Sequence, residues 1–168
     1  MNKIKRLLTI LYQSFILVLP QELSFLRVKF YNRKGNKVSK KAFISPNVRI
    51  TGVFHMDEGS SIAQNCTLSG ENAGIFIGKN VMIAPNVVMV AFNHGFAKID
   101  VPMVFQKNVE EAIYIEDDVW IASNCTIGKG VVVGKGSIIA ANSFVNKSIP
   151  PYSIAGGVPV RIIKSRIG

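Results

Sequence analysis

Aliphatic residues recur at every sixth position through most of this chain. From Ile44 the series runs through Ile50, Met56, Ile62 and Leu68, resumes at Ile77, Ile83 and Met89, and after a long gap continues as Ile115, Ile121, Ile127, Val133, Ile139 and Val145. The next position is often small (Gly78, Ala84, Ala122, Gly128, Gly134, Ala140), and the fourth position after the aliphatic is small or branched (Val48, Cys66, Val87, Val119, Cys125, Ser143). An amphipathic helix repeats near 3.6 residues and a half-buried strand at two, so neither produces this beat. A short strand followed by a tight turn does. Three such units close a triangular coil, and successive coils stack as parallel strands. The aliphatic residue fills the interior, small residues let the corners turn, and Gly, Asn and Asp in "IGKNV", "IEDDV" and "IGKGV" supply the turn conformations. Fourteen units predict four to five coils.

A chain of 168 residues with 48% hydrophobic content supports one folded domain with a core. Its formal net charge of +10 suits a partner that carries phosphates or an anionic surface. Two cysteines make no disulfide framework; Cys66 and Cys125 fall on small-residue positions of the repeat and are expected as buried, reduced thiols. The N-terminus, "MNKIKRLLTILYQSFILVLP", has a basic start and an apolar run from Leu7 to Leu19. That run is shorter than the roughly 20 residues that span a bilayer, and "PQELSFLRVKF" has no A-x-A-like cleavage site. Two readings are open: a helix packed on the domain, or one lying in a membrane interface. A basic cluster, Arg33, Lys34, Lys37, Lys40 and Lys41, follows.

The beat stops at "VMVAFNHGFAKIDVPMVFQ", Val88 to Gln106. A loop extruded from a regular rod is where function is expected, because the rod itself offers packing surface. His94, one of two histidines, stands near the start of this loop. Histidine titrates near neutrality and can accept a proton from a hydroxyl or amine; by residue type alone it serves equally well as a corner cap or surface residue. Trp120, the single tryptophan, sits at an outward position in "DDVWIAS" and suits either a ligand contact or an interface.

From Ile44 to about Lys164 the repeats resemble those of the hexapeptide-repeat acyltransferases. The tail "NKSIPPYSIAGGVPVRIIKSR" resembles one branch in particular, the galactoside, maltose and nodulation-type O-acetyltransferases together with acetyltransferases of capsule and lipopolysaccharide synthesis. The resemblance implies an all-β, left-handed parallel β-helix over residues 44–149 with an extruded loop at 91–112, preceded by a helical or extended segment at 1–43 and followed by a tail at 150–168. It implies acetyl-CoA as co-substrate, a homotrimer with active sites between subunits, and His94 as the general base. It places Trp120 by the pantetheine arm or acceptor, the backbone of Ser123 and Ala141 on the pantetheine amides, and Asn146, Lys147, Arg161 and Lys164 toward the nucleotide phosphates. Ala122 and Asn142 replace family glycines, and Lys164 replaces an arginine, keeping charge but losing bidentate geometry.

Zinc carbonic anhydrases share the rod but need three histidine ligands, whereas this chain has only His55 and His94, so no metal is expected. A sugar nucleotidyltransferase would need an added domain. A non-catalytic scaffold or binding module is the rival from another class; His94, Trp120 and the tail argue against it. The acceptor is expected near the irregular piece "NCTLSGENAG", with Asn65, Glu71 and Asn72 as candidates. O-acetylation of a saccharide is favoured over N-acetylation of a nucleotide-linked amino sugar. The expected setting is cytoplasmic, with peripheral contact to an anionic membrane, a role in surface polysaccharide synthesis, and no nucleic-acid partner.

Overall fold

The computed structural model describes residues 3–167, with side chains from Leu7 onward; the side chains of Lys3, Lys5 and Arg6, which begin the basic N-terminus, lie outside the described residues. Two helices, α1 (Lys3–Val18) and α2 (Ser24–Arg33), precede a rod of short strands. The first coil is β1 (Lys37–Val38), β2 (Phe43–Ile44) and β3 (Arg49–Thr51); the second is β4 (Phe54–Met56), β5 (Ser61–Ile62) and β6 (Thr67–Ser69); the third is β7 (Ile75–Ile77), β8 (Met82–Ile83) and β9 (Val88–Val90). An antiparallel pair, β10 (Phe92–Asn93) and β11 (Val109–Glu110), leaves the rod. The fourth coil is β12 (Ile113–Ile115), β13 (Trp120–Ile121) and β14 (Thr126–Ile127), and the fifth is β15 (Val132–Val133), β16 (Ile138–Ile139) and β17 (Phe144–Val145). A partial sixth coil consists of an Ile149–Val133 bridge and β18 (Ser153–Gly156), on which β19 (Arg161–Ser165) folds back antiparallel.

The strands stack into three walls: β1-β4-β7-β12-β15, then β2-β5-β8-β13-β16-β18-β19, then β3-β6-β9-β14-β17. Within the coils the pairing is parallel and in register, so the repeat aliphatics form three interior columns. Met56, Ile77 and Ile115 stand over one another in the first wall, Ile62, Ile83 and Ile121 in the second, and Leu68, Met89 and Ile127 in the third. All are buried. The predicted parallel β-helix is therefore present, with about six coils rather than four to five. Val38 keeps the beat six residues ahead of Ile44 but sits among polar neighbours. At the far end Ile149 follows Val145 by four residues and Val160 follows Ala155 by five, so the beat is lost while the walls continue.

The corner between the second and third walls explains the asparagines. Asn47, Asn65, Asn86, Asn124 and Asn142 all occupy it with φ between 56° and 62°, a left-handed conformation that asparagine tolerates better than most residues. Asn86 Nδ2 donates to Asn124 Oδ1 at 3.0 Å and Asn124 Nδ2 to Asn142 Oδ1 at 3.2 Å. Asn142 thus keeps the turn that a family glycine would make. The corner residues that follow, Cys66 and Cys125, are free and buried as expected. Their thiols donate to the carbonyls of Ala84 and Ala140, and burial pushes both thiols up from their ordinary pKa.

The first coil has no preceding coil to pair with, and α2 takes that place wall by wall. Asn32 Nδ2 donates to Val38 O at 2.8 Å while its Oδ1 accepts from Val38 N at 2.7 Å. Ser24 Oγ accepts from Ile44 N at 2.8 Å and Arg27 Nε donates to Ile44 O at 2.7 Å. Tyr31 Oη donates to Val48 O at 2.6 Å and accepts from Ile50 N at 3.3 Å. Arg27 is fully buried, and its remaining donors reach the carbonyls of Leu19, Pro20 and Gln21. Burial pushes the Tyr31 hydroxyl up to about 12, because the phenolate would lose its water there. An unfolded tyrosine ionises near 10, so the neutral form's contribution is fully present below pH 10 and is lost as pH rises from about 10 to about 12. Tyr31→Phe is expected to cost about 1–3 kcal/mol at neutral pH by leaving Val48 O and Ile50 N unpaired. The gap between wild type and variant in denaturant melts should then narrow above pH 10; a gap that stays constant across that range overturns this assignment.

Candidate active site

The excursion leaves the corner between the third and first walls. It costs the rod no rung, because β12 pairs directly with β7, Ile113 opposite Ile75. Its two arms zip together first, Phe92 opposite Glu110 and Asn93 opposite Val109. His94 is the next residue on the outgoing arm and Asn108 its counterpart on the return. His94 Nδ1 lies 3.0 Å from Asn108 Oδ1, and the edge of its ring meets Phe92 at 5.7 Å between centroids. With an amide oxygen as partner, Nδ1 carries the proton and donates it, which leaves the lone pair on Nε2, where it can act as a base. The imidazole is exposed.

The loop beyond is braced rather than loose. Gln106 Nε2 donates to the carbonyls of Lys98 and Val101 at 2.8 and 2.7 Å, while its Oε1 accepts from Lys98 N at 3.1 Å. Gly95 is buried between the arms, where a Cβ would come within 2.5 Å of Lys107 O; the absence of a side chain brings the arms together beside His94. Phe96, Met103, Val104 and Phe105 stand exposed at the tip.

The predicted acceptor residues separate. Glu71 and Asn72 lie in the turn between β6 and β7, at the same corner as the loop. The Asn72 amide groups donate to both carboxylate oxygens of Glu110, at 3.0 Å from the backbone N and 3.1 Å from Nδ2, tying this turn to the foot of the hairpin. Asn65 belongs instead to the asparagine corner between the second and third walls. Trp120, 44% exposed, stands on the second wall in one row with Met82 and Ile138. The row continues through Ile154 to Lys164, three rungs or about 14 Å from Trp120 at ordinary strand spacing. Ser123 and Ala141 share the asparagine corner one coil apart, joined by the bond from Asn142 N to Ser123 O at 3.0 Å. Asn146 and Lys147 are exposed beyond β17, and Arg161 lies on β19 opposite Gly156. Within one chain, therefore, His94 with Glu71 and Asn72 occupies one corner, and Trp120 with Lys164 occupies the wall across the prism. Among the described residues no group of three His, Cys, Asp or Glu side chains is placed to hold a metal ion.

Asn108 and Glu110 carry no signal in the sequence, since only the hairpin register sets them opposite His94 and beside Asn72.

A stacked-coil rod with a histidine-bearing hairpin defines a hexapeptide-repeat protein, and the comparisons agree. Residues 112–147 match the bacterial transferase hexapeptide family of six repeats. A hexapeptide-repeat-containing acetyltransferase from Vibrio cholerae, crystallised with acetyl coenzyme A, is 30% identical over 84% of this chain and 79% of that one, with a TM-score of 0.70. A galactoside acetyltransferase in complex with coenzyme A is 27% identical over 94% and 78%, with a TM-score of 0.76. Gamma carbonic anhydrase 3, mitochondrial, from Arabidopsis thaliana is 32% identical over 76 residues, 45% of this chain, and the match spans 30% of that relative's length. The chain belongs to the hexapeptide-repeat acetyltransferase family.

Asn108 acts on His94 through orientation. On the general-base role proposed below for His94, Asn108→Ala is expected to lower turnover by about one to two orders of magnitude, the scale of a misplaced reacting group, with the KM for the acyl donor unchanged. Steady-state kinetics on the variant check this, and turnover equal to wild type overturns the role.

Proposed function

We propose that this protein is an acetyl-CoA-dependent O-acetyltransferase acting on a saccharide, with His94 as general base. The observation that carries the reading is His94 at the mouth of the braced hairpin, its Nδ1 engaged by Asn108 at 3.0 Å and its Nε2 free. Transfer is direct, through a ternary complex. As the acceptor oxygen attacks the thioester carbonyl, its proton passes to Nε2; the C–S bond then breaks, and the departing thiolate takes the proton back from the imidazolium. Holding donor and acceptor in line supplies the rest of the rate. The relatives crystallised with acetyl coenzyme A and coenzyme A support the donor.

The separation of His94 from Trp120 supports a site completed by a second subunit, and the exposed apolar tip of the loop supports a homotrimer. Ser123, Ala141, Asn146, Lys147, Arg161 and Lys164 are the proposed coenzyme contacts, and Glu71 and Asn72, at the loop's own corner, are the acceptor contacts that the geometry favours over Asn65. The proposed setting is the cytoplasmic face of the inner membrane, in surface polysaccharide synthesis. No helix among the described residues is long and apolar enough to cross a membrane.

His94→Ala should lower turnover about 10²–10⁴-fold, the range for general-base help, while coenzyme binding persists. Lys147→Ala and Arg161→Ala should instead raise the KM for acetyl-CoA, more so at low salt. A thioester-cleavage assay run against sugars, nucleotide sugars and lipid-linked saccharides tests the whole reading. Turnover only with amino sugars would reassign the reaction to N-acetylation, and none with any acceptor would favour a binding module.

A further inference from the structure

We propose that α1, α2 and the basic residues that follow them to Lys41 form a docking surface for an anionic lipid bilayer, with α1 lying in the interface and the outer face of α2 at headgroup level. This deepens the membrane-face setting proposed above, on which it rests, and is separate from the chemistry at His94.

The first observation is charge. Residues 1–41 contain ten Lys and Arg and a single acidic residue, Glu22, for a net +9, whereas the remaining 127 residues hold ten basic and nine acidic residues, for a net +1. Nearly the whole charge excess of the protein is gathered in a quarter of its length. The second observation is the outward side of α1. Leu7, Leu8, Leu11, Phe15 and Val18 are each between 56% and 64% exposed, and their spacing puts them on one stripe. The body of the protein takes the opposite side: Ile16 and Leu17 are buried, Tyr12 meets the Phe30 ring at 5.9 Å, and Gln13 Oε1 accepts from Lys34 Nζ at 3.0 Å. No charged residue occurs between Leu7 and Gln21, so no charge interrupts the stripe. The third observation is a cleft of about 610 Å³ lined by Phe25, Val28, Lys29, Asn32, Arg33 and Lys40. A cleft that combines the apolar Phe25 and Val28 with three cations fits a phosphodiester with the start of its acyl chains.

These features belong together chemically. An apolar helix face supplies insertion and a basic rim supplies attraction to anionic headgroups, a pairing typical of interfacial helices. A second copy of this chain fits less well, because its rod is nearly neutral and its own first 41 residues would repel the same surface. A nucleic acid would answer the charge but not the leucines.

Flotation of the full-length protein with vesicles of phosphatidylcholine, with and without phosphatidylglycerol, tests the proposal. The wild type is expected to float only with the anionic vesicles and to be released by high salt. The triple variant Lys29→Gln/Arg33→Gln/Lys40→Gln should lose roughly a hundredfold in vesicle affinity, and Leu11→Asn/Phe15→Asn at least tenfold. All five side chains are exposed, so both variants should keep the wild-type melting temperature. Equal binding to neutral vesicles, undiminished binding by both variants, or tighter binding to duplex nucleic acid than to anionic vesicles would overturn the proposal. So would a change in the Leu11→Asn/Phe15→Asn variant confined to its sedimentation. Thioester cleavage with a soluble acceptor, measured on the same samples, reports on His94 alone: its loss with vesicle binding intact would strike the catalytic reading, and the converse would strike this one.

Discussion

Each strand of the rod is two to five residues long, and its backbone hydrogen bonds run to the coil above and the coil below. A rung is complete only when both neighbours are present, which makes the two ends the costly places. At the start, α2 answers that cost with side chains in place of strands: Asn32, Ser24 with Arg27, and Tyr31 each satisfy one wall. The guanidinium of Arg27 can be fully buried without a hydrogen-bonded carboxylate because the carbonyls of Leu19, Pro20 and Gln21, in the α1–α2 link, take its other donors. At the far end β19 turns back along β18 and closes the second wall, and buried hydroxyls finish what strands do not. Ser137 Oγ donates to Pro150 O and accepts from Ser153 N, and Ser143 Oγ donates to Ala140 O and accepts from Gly157 N.

The same requirement governs the loop. An insertion that displaced a rung would unpair two coils, so the chain can leave only at a corner and must return in register. The β10–β11 pair meets this condition by closing the excursion on itself before β12 takes its place over β7. The geometry at His94 is a by-product of that closure. The residue just past the zipped pair, His94, faces the residue just before it, Asn108, and the imidazole is oriented by the hairpin register rather than by the rod. Gly95 and Gln106 hold the arms at that separation.

The period of six made the rod legible from the sequence, because interior aliphatics and small corners are forced by local geometry. The interruption was legible for the same reason, and with it His94. What stayed hidden was what depends on pairing across distance. Asn108 lies fourteen residues from His94 in a stretch without periodicity. Asn65 and Asn72 look alike in one dimension, yet one is a left-handed corner residue and the other a donor to Glu110. Val38 and Ile149 were lost at the ends because the beat there is carried by one residue or shortened. The exposed side of α1 was illegible too, since an apolar run does not say which of its faces a neighbour will cover.

A triangular rod also divides labour among its faces. The columns inside are spent on stability and leave no room for chemistry, so a ligand can be handled only outside, at a corner or along a wall. The acceptor-side candidates gather at the loop corner, where Glu110 links the hairpin to Asn72, while Trp120, Ile138, Ile154 and Lys164 follow one line along the second wall. That line ends at a cation, Lys164, in keeping with the coenzyme contacts proposed above. One chain presents these two halves on opposite sides of a rigid prism, which cannot bend to bring them together. In the homotrimer proposed above, packing loop corner against second wall between neighbouring copies would join them with no change in either chain, and would cover the apolar loop tip in the same step. The α2 helix lies at the end of the rod, against β1 and β2, with α1 packed on α2, so the surface proposed to meet lipid would stay clear of such an assembly.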